Sequence, residues 1–337
     1  MKVAVCVITY QRPEGLKRLM EDLNELAFDK CGTPSLEVIV VDNDSAGLAC
    51  KFCEEIRSDL HWPLKCSVEL RRGIPYARNK AVACAQEGHA DFVAFIDDDE
   101  VPEPPWLDEL LYVQRSYDAD VVAGPVLPRF TTSIAPWMKE GKFFERRRLP
   151  TGTPIDWAST CNVLVRSEVF EKMDKGFDER FALSGGSSHF FESVHRAGYK
   201  MVWADDALVH EWIPKSRANV KWLLQRQYRY GNNYSLRKIE SEPSIASRAR
   251  LAIDAGKQIV KGLLRLPRSL TFRRTPVVKG SLVVNPRRLV ARNRPSRLVG
   301  IRYKRLVRSL LKISYGAGML AGIAGRRYEE YRRIHGI

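Results

Sequence analysis

The chain has 337 residues, 45% of them hydrophobic, and a formal net charge of +15. That length and composition suit one large globular domain or two medium ones and exclude disorder along the whole chain. The charge is uneven: residues 245–337 hold 23 Lys and Arg against three acids, whereas residues 1–244 hold 32 against 37. A near-neutral body therefore carries a basic C-terminal region, a pattern that suits an anionic surface, either membrane or nucleic acid.

The first half alternates strands and helices. Val3 to Ile8 is a continuous apolar run followed by Thr9-Tyr10-Gln11-Arg12-Pro13, and Glu14 to Leu26 has helical spacing, with Leu16, Leu19, Met20, Leu23 and Leu26 on one face. Leu36 to Val41 predicts a second strand that ends in Asp42-Asn43-Asp44-Ser45. Gly73 to Gln86 reads as a loop entering a helix, and Phe92 to Ile96 as a third buried strand. A helix over Trp106 to Arg115 and a strand at Val121 to Gly124 follow. Alternating β and α with wholly apolar strands predicts an α/β fold: a mostly parallel sheet with helices on both faces.

Residues 129–156 are charged and carry Pro136, Pro150 and Pro154, which predicts a long irregular loop. Asn162 to Val165 predicts a strand, Gly176 to Gly186 a loop, and Ser187 to Ala197 a helix stopped by Gly198. Short strands at Tyr199 to Ala204 and Ala207 to Glu211 precede a basic helix from Val220 to Lys238. Glu240 to Ser244, with Pro243, reads as a linker, which divides the chain into domains 1–240 and 241–337. Beyond it, helices are expected over 246–266, 281–293 and 300–333. Their apolar residues sit among Lys and Arg, the pattern of an interfacial membrane helix. The small-residue stretch Ile313 to Gly325 is too short to span a bilayer; it suits dipping into one or packing closely on a neighbour.

The start of the chain reads as a strand rather than a secretory leader, and no apolar run reaches the length of a membrane span. Seven cysteines, an odd number, predict reduced thiols in a cytosolic compartment. Cys50 and Cys53 have metal-ligand spacing, with Cys31 and Cys66 as further sulfurs, but thiols half-buried on a helix fit the pattern better.

Asp97-Asp98-Asp99 is the most informative stretch. Three carboxylates directly after a buried strand place hard oxygen ligands at the carboxyl end of a sheet, where open α/β sheets bind ligands. Such ligands suit Mg²⁺ or Mn²⁺, which commonly escort phosphates. Without a cation, three clustered acids at a buried edge are costly.

Five motifs in order carry a family resemblance: Thr9-Tyr10-Gln11-Arg12, Val41-Asp42-Asn43, Gly73 with Ala77-Arg78-Asn79, Asp97-Asp98-Asp99, and Phe177-Asp178-Glu179-Arg180-Phe181 with Gly185-Gly186. Over about residues 1–235 the chain resembles family 2 glycosyltransferases of the Rossmann-like GT-A fold. The basic tail, with its glycines at 316–325 and Tyr328-Glu329-Glu330-Tyr331-Arg332-Arg333, resembles bacterial exopolysaccharide-type members.

The resemblance implies an inverting, metal-dependent transfer of a sugar from a nucleotide-sugar, a UDP-sugar by family frequency, to a lipid-linked saccharide acceptor at the cytoplasmic face of the inner membrane. Mn²⁺ or Mg²⁺ would be held by Asp97 and Asp99, with His210 as a third ligand. Thr9, Tyr10, Arg12, Asp42, Arg78, Asp97 and Asp98 would bind the donor nucleotide and its diphosphate. Trp157 and Asn162 lie where the acceptor side is built.

The sequence departs from the family at the catalytic base. The usual Asp is replaced by Ser188, within Gly186-Ser187-Ser188-His189-Phe190-Phe191-Glu192. His189 or Glu192 could substitute, the chain could be a catalytically impaired donor-binding protein, or the alignment could be shifted by one residue. A nucleic-acid-binding role for the tail is the further alternative; the tail lacks a recognised RNA or DNA motif, so no nucleic acid is expected.

Overall fold

The structure, a computed structural model, describes residues 1–173, 176–181, 186–266 and 297–328. Gly185, the helix expected over 281–293 and the stretch from Glu329 to Arg333 lie outside the described residues. Two compact units emerge: Met1–Thr132 with Phe144–Ser216, and Ser133–Phe143 with Arg217–Arg327.

The first unit is built on a seven-stranded sheet. Its strands are β1 (Lys2–Thr9), β2 (Ser35–Asp42), β3 (Leu64–Val68), β4 (Phe92–Asp97), β6 (Val121–Ala123), β8 (Val163–Arg166) and β9 (Met201–Trp203). Their order is β3-β2-β1-β4-β8-β6-β9, parallel except where β8 meets β4 and β6. A second sheet joins β5 (Glu100–Pro102), β10 (Val209–Ile213) and β7 (Val126–Phe130) in the order β5-β10-β7. The mostly parallel α/β architecture is the one the sequence predicts.

Period-2 alternation on β1 explains the two-sided core. Val3, Val5 and Val7 join one apolar cluster with Leu16, Leu19, Met20 and Leu23 of α1 (Pro13–Asn24) and with α4 (Trp106–Tyr117). Ala4 and Cys6 join the other, with α3 (Ile74–Glu87) and with α7 (Gly186–Arg196). Each fully buried Leu of α1 contributes roughly 1.5–3 kcal/mol, so Leu19→Ala would remove one of its three fully buried leucine anchors, with Leu16 and Leu23 the others.

The parallel register sets the site. Thr9 lies opposite Asp42, and Ile8 opposite Asp97, so the ends of β1, β2 and β4 share one edge.

Several details differ from expectation. Cys50, on α2 (Leu48–Ile56), and Cys66, on β3, form a disulfide with Cα atoms 5.3 Å apart, so the expectation of seven reduced thiols is corrected. Packing of α2 against β3 brings the two together, a contact that residue spacing does not reveal. Cys6, Cys31, Cys53, Cys84 and Cys161 are free thiols, and burial pushes the Cys53 thiol up to about 12. The stretch 129–156 is not wholly irregular: β7 reaches Phe130 and α5 (Pro136–Glu140) lies within it.

The second unit consists of α5 with α8 (Val220–Ser241), α9 (Ile245–Leu263) and α10 (Arg297–Ile323). Its main segment begins at Arg217, upstream of the expected boundary at 241, because α8 packs with the helices after it. Glycines make that packing possible. A Cβ on Gly318 would sit 1.9 Å from the Tyr228 carbonyl, and one on Gly231 would sit 2.0 Å from the Tyr315 carbonyl. The buried Asn232 amide donates to the carbonyl of Arg326 at 2.7 Å. Of the two roles open to the small-residue stretch, close packing is the one observed. No helix among the described residues is long and apolar enough to cross a membrane.

Leu251, Ala255 and Gly262 of α9 face inward, whereas Ile253, Val260 and Leu264 are 58%, 51% and 69% exposed. Arg250, Lys257 and Lys261 border that outward stripe.

Candidate active site

The acid cluster begins where β4 ends. Asp98 is buried, and its carboxylate accepts a hydrogen bond from the Thr9 hydroxyl at 2.8 Å and one from Arg12 Nη1 at 2.9 Å. The same Arg12 nitrogen reaches Asp99 at 3.1 Å. Thr9 therefore spends its O–H on Asp98, and Arg12 neutralises part of the cluster from within. Asp97 lies 3.6 Å from Arg78 Nη2, and its backbone N–H donates to Glu100 at 2.9 Å.

Burial raises the Asp97 carboxyl against the opposing pull of Arg78, and pushes that of Asp98 up to about 6 despite Arg12. Glu100 is raised further by burial, with Cys161 and Asp97 adding to it. Burial is the largest cause in all three, so these carboxyls hold a proton more readily than exposed ones even beside the guanidiniums.

Arg78 is the facing cation. It is 7% exposed, its ring-plane neighbour is Phe177 at 5.7 Å, and its buried Nε has no hydrogen-bond acceptor. A guanidinium left with a buried unpaired N–H is expensive without an anion to receive it.

Asp42 closes on its own chain. One oxygen accepts from the Asp44 N–H at 3.0 Å and the other from the Ala49 N–H in the first turn of α2 at 2.8 Å. Its carboxylate shapes the loop after β2, and burial raises its pKa. Tyr10, at the same edge, has the Arg72 guanidinium 4.9 Å from its ring centre.

His210 does not join the acids. Its Nε2 is 2.8 Å from Glu103. The strand register gives the reason: His210 lies opposite Val101, and Glu211 opposite Glu100, so it is Glu211 that shares the Glu100 face. Glu211 pairs there with Arg146 at 2.7 Å, and Arg146 also donates to the Cys161 sulfur at 2.9 Å. Sequence reasoning missed Arg146 and Glu211. Alternation along β10 was the available signal for Glu211; nothing local marks Arg146.

Among the described residues no three His, Cys, Asp or Glu side chains converge as a metal site. The donor chemistry nevertheless fits a hard divalent cation. Asp97 and Asp99 offer carboxylate oxygens, the donor type such an ion prefers, and a Mg²⁺-type ion takes its other ligands from phosphates and water rather than from an all-protein cage.

Around the expected base, Ser188 and His189 occupy the first turn of α7, with Glu192 one turn on. His189 Nε2 is 3.8 Å from the Asp178 carboxylate. Arg180 holds Asp178 by side-chain bonds at 2.6 and 3.0 Å, and those bonds lower its pKa, keeping it ionised. Asn162 is structural: it accepts from Trp106 Nε1 and donates to the carbonyls of Pro125 and Ala207. Trp157 packs on Trp203, with ring centres 5.4 Å apart, and remains 36% exposed.

A family model described as Glycosyl transferase family 2 matches residues 4–174. The succinoglycan biosynthesis protein ExoM of Rhizobium meliloti is 30% identical over 259 residues, 76% of this chain and 82% of that protein. A glucosyl-dolichyl phosphate glucuronosyltransferase of Haloferax volcanii is 26% identical over 71% of this chain and 78% of its own length. Among solved structures, residues 1–349 of S. aureus TarS in complex with UDP-GlcNAc superpose with a TM-score of 0.51 at 17% identity, over 97% of this chain and 93% of that one. At that identity the likeness speaks for the fold alone.

Proposed function

The chain belongs to glycosyl transferase family 2, and from that premise we propose that it transfers a sugar, with inversion, from a UDP-sugar to a lipid-linked saccharide during bacterial polysaccharide synthesis. One observation carries the donor side: the buried Arg78, with an Nε that has no acceptor, lies 3.6 Å from Asp97, the first of three clustered carboxylates. A diphosphate flanked by a divalent cation matches both halves of that pair. Asp97 and Asp99 would hold Mg²⁺ or Mn²⁺, which when bound neutralises the charge that builds on the departing diphosphate. Arg78 would take a phosphate oxygen on its fork, and Arg12 would keep Asp98 and Asp99 in place. Tyr10 would lie against the nucleotide.

His189 is the proposed base for the acceptor hydroxyl. The nearby ionised Asp178 supports it, since a carboxylate offsets the charge the imidazole gains with the proton. Ser188 favours a second reading, a donor-binding protein with impaired catalysis. The relatives' names support a polysaccharide pathway and a lipid-linked acceptor. The outward stripe of α9 and its bordering cations support attachment to an anionic membrane, at its cytoplasmic face.

A panel of nucleotide-sugars, scored by thermal stabilisation with and without Mn²⁺, tests the reading. A UDP-sugar should stabilise the protein in a Mn²⁺-dependent way, and Asp97→Asn with Asp99→Asn should abolish that. If no nucleotide-sugar stabilises the wild type, the proposal fails. Between the two catalytic readings, His189→Ala should abolish transfer if His189 is the base. A gain of transfer only on Ser188→Asp would identify the impaired form.

A further inference from the structure

Asn79 follows the diphosphate-facing Arg78 on α3, yet its side chain turns to a different part of the site. Its Oδ1 accepts the backbone N–H of Phe177 at 2.8 Å, and its Nδ2 donates to the Phe177 carbonyl at 2.9 Å. One side-chain amide thus satisfies both backbone groups of a residue 98 positions away, as a neighbouring strand would. The fit is close: a Cβ on Gly176 would lie 2.6 Å from Asn79 Oδ1.

The residue so held connects both halves of the site. The Phe177 ring is buried against Phe95 of β4, the strand that ends in Asp97, with ring centres 5.7 Å apart. It also meets Phe190 of α7 at 4.7 Å, next to His189. Arg78 lies over the same ring. From Phe177 the backbone leads directly to Asp178, the carboxylate facing His189. The rings fix where Phe177 sits, but aromatic contacts tolerate rotation of the peptide. The amide pair holds both peptide units that flank Phe177, and with them the direction in which Asp178 departs.

We propose that Asn79 is a positioning residue for transfer: it sets the Phe177 peptide, and through it the Asp178–His189 pair, against the donor-diphosphate arm of Arg78. This rests on the glycosyltransferase reading and adds a role that the resemblance does not assign. Asn79 touches neither donor nor acceptor; it makes the two sides of one site keep register.

The test uses the full chain. In Asn79→Ala, kcat for transfer should fall about 10- to 100-fold, the usual cost of misplacing a catalytic group by about an ångström. Donor Kd should stay within about twofold, and hydrogen exchange at the Phe177 amide should lose its protection. Asn79→Asp keeps an acceptor for the N–H and loses the donor to the carbonyl, so it should fall between. Gly176→Ala leaves Asn79 chemically intact but crowds it from the other side, so it should reproduce the kcat loss. Either a wild-type kcat in both Asn79→Ala and Gly176→Ala despite lost Phe177 protection, or donor affinity falling in step with kcat, would overturn the positioning role. A wild-type protein that binds no nucleotide-sugar would sink the glycosyltransferase reading and this one together, so the two failures are distinguishable.

Discussion

At the scale of single residues, Arg12 is the informative partner in the acid cluster. It bridges Asp98 and Asp99 and lets them lie together at the end of β4. The compensation is incomplete, and this has a consequence for pH. The Asp98 carboxyl is raised from 3.8 to about 6, so the folded state binds a proton more readily than the unfolded chain. Its contribution to stability is complete below about pH 4 and is lost as pH rises through about 6, a swing on the order of 3 kcal/mol at most. The wild type should therefore melt lower at pH 7 than at pH 5. Asp98→Asn should shrink that difference, which calorimetry at the two pH values measures; an unchanged difference would assign the slope to other groups. The acids and Arg78 were legible in sequence because identity and order are enough to mark them. The partners were not: Thr9 reads as a pocket hydroxyl until its bond to Asp98 is seen, and Asn162 as an acceptor-side group until its three core bonds are seen.

Among the elements, long periodic segments were legible and short ones were not. The stripe of α1 and the apolar runs of β1, β2 and β4 follow from 3.6- and 2-residue periods. Strands β5 and β7 have three and five residues, too few for a period to register, and they exist because β10 pairs with both. The same pairing sends His210 to Glu103 and Glu211 to the acid face. In the helical unit the glycines are spacers. Gly318→Ala would force α8 and α10 apart at the Tyr228 carbonyl and should cost about 1–3 kcal/mol, the usual range for overpacking; urea melts read this directly, whereas a neutral substitution would show that the helices can slide. The Cys50–Cys66 bond ties α2 to β3 across a separation of 16 residues. Thiol titration of the denatured, unreduced protein should find five free cysteines; a count of seven would mean the bond does not form. Cys50→Ser should cost roughly 3 kcal/mol, the entropy of a loop that long.

For the whole molecule, charge and packing divide the labour. The basic C-terminal region was plain from counting, as was an amphipathic pattern over its helices. Which apolar residues remain outward was not, since α10 buries Val307 and Met319 while α9 leaves Ile253, Val260 and Leu264 exposed. Lys312 has its pKa lowered by burial and by Arg265 and Lys261, so three cations gather near the end of that stripe. Co-sedimentation with anionic vesicles should be strong at low salt and weaken as salt rises. Ile253→Asp with Val260→Asp should weaken it at least about tenfold, given roughly 1.5–3 kcal/mol for each large apolar side chain buried. Equal binding to neutral vesicles, or a preference for duplex DNA, would remove the membrane assignment. The sequence by itself determined the α/β class, the edge where the acids gather and the family, because these depend on local period and on residue identity in order. Only the tertiary structure decided that Arg12 serves the acids, that Glu211 lies opposite Glu100 while His210 meets Glu103, that Asn79 holds Phe177 and that α8 joins the helical unit. Those choices rest on burial and on contacts between residues distant in the chain, which no local pattern encodes.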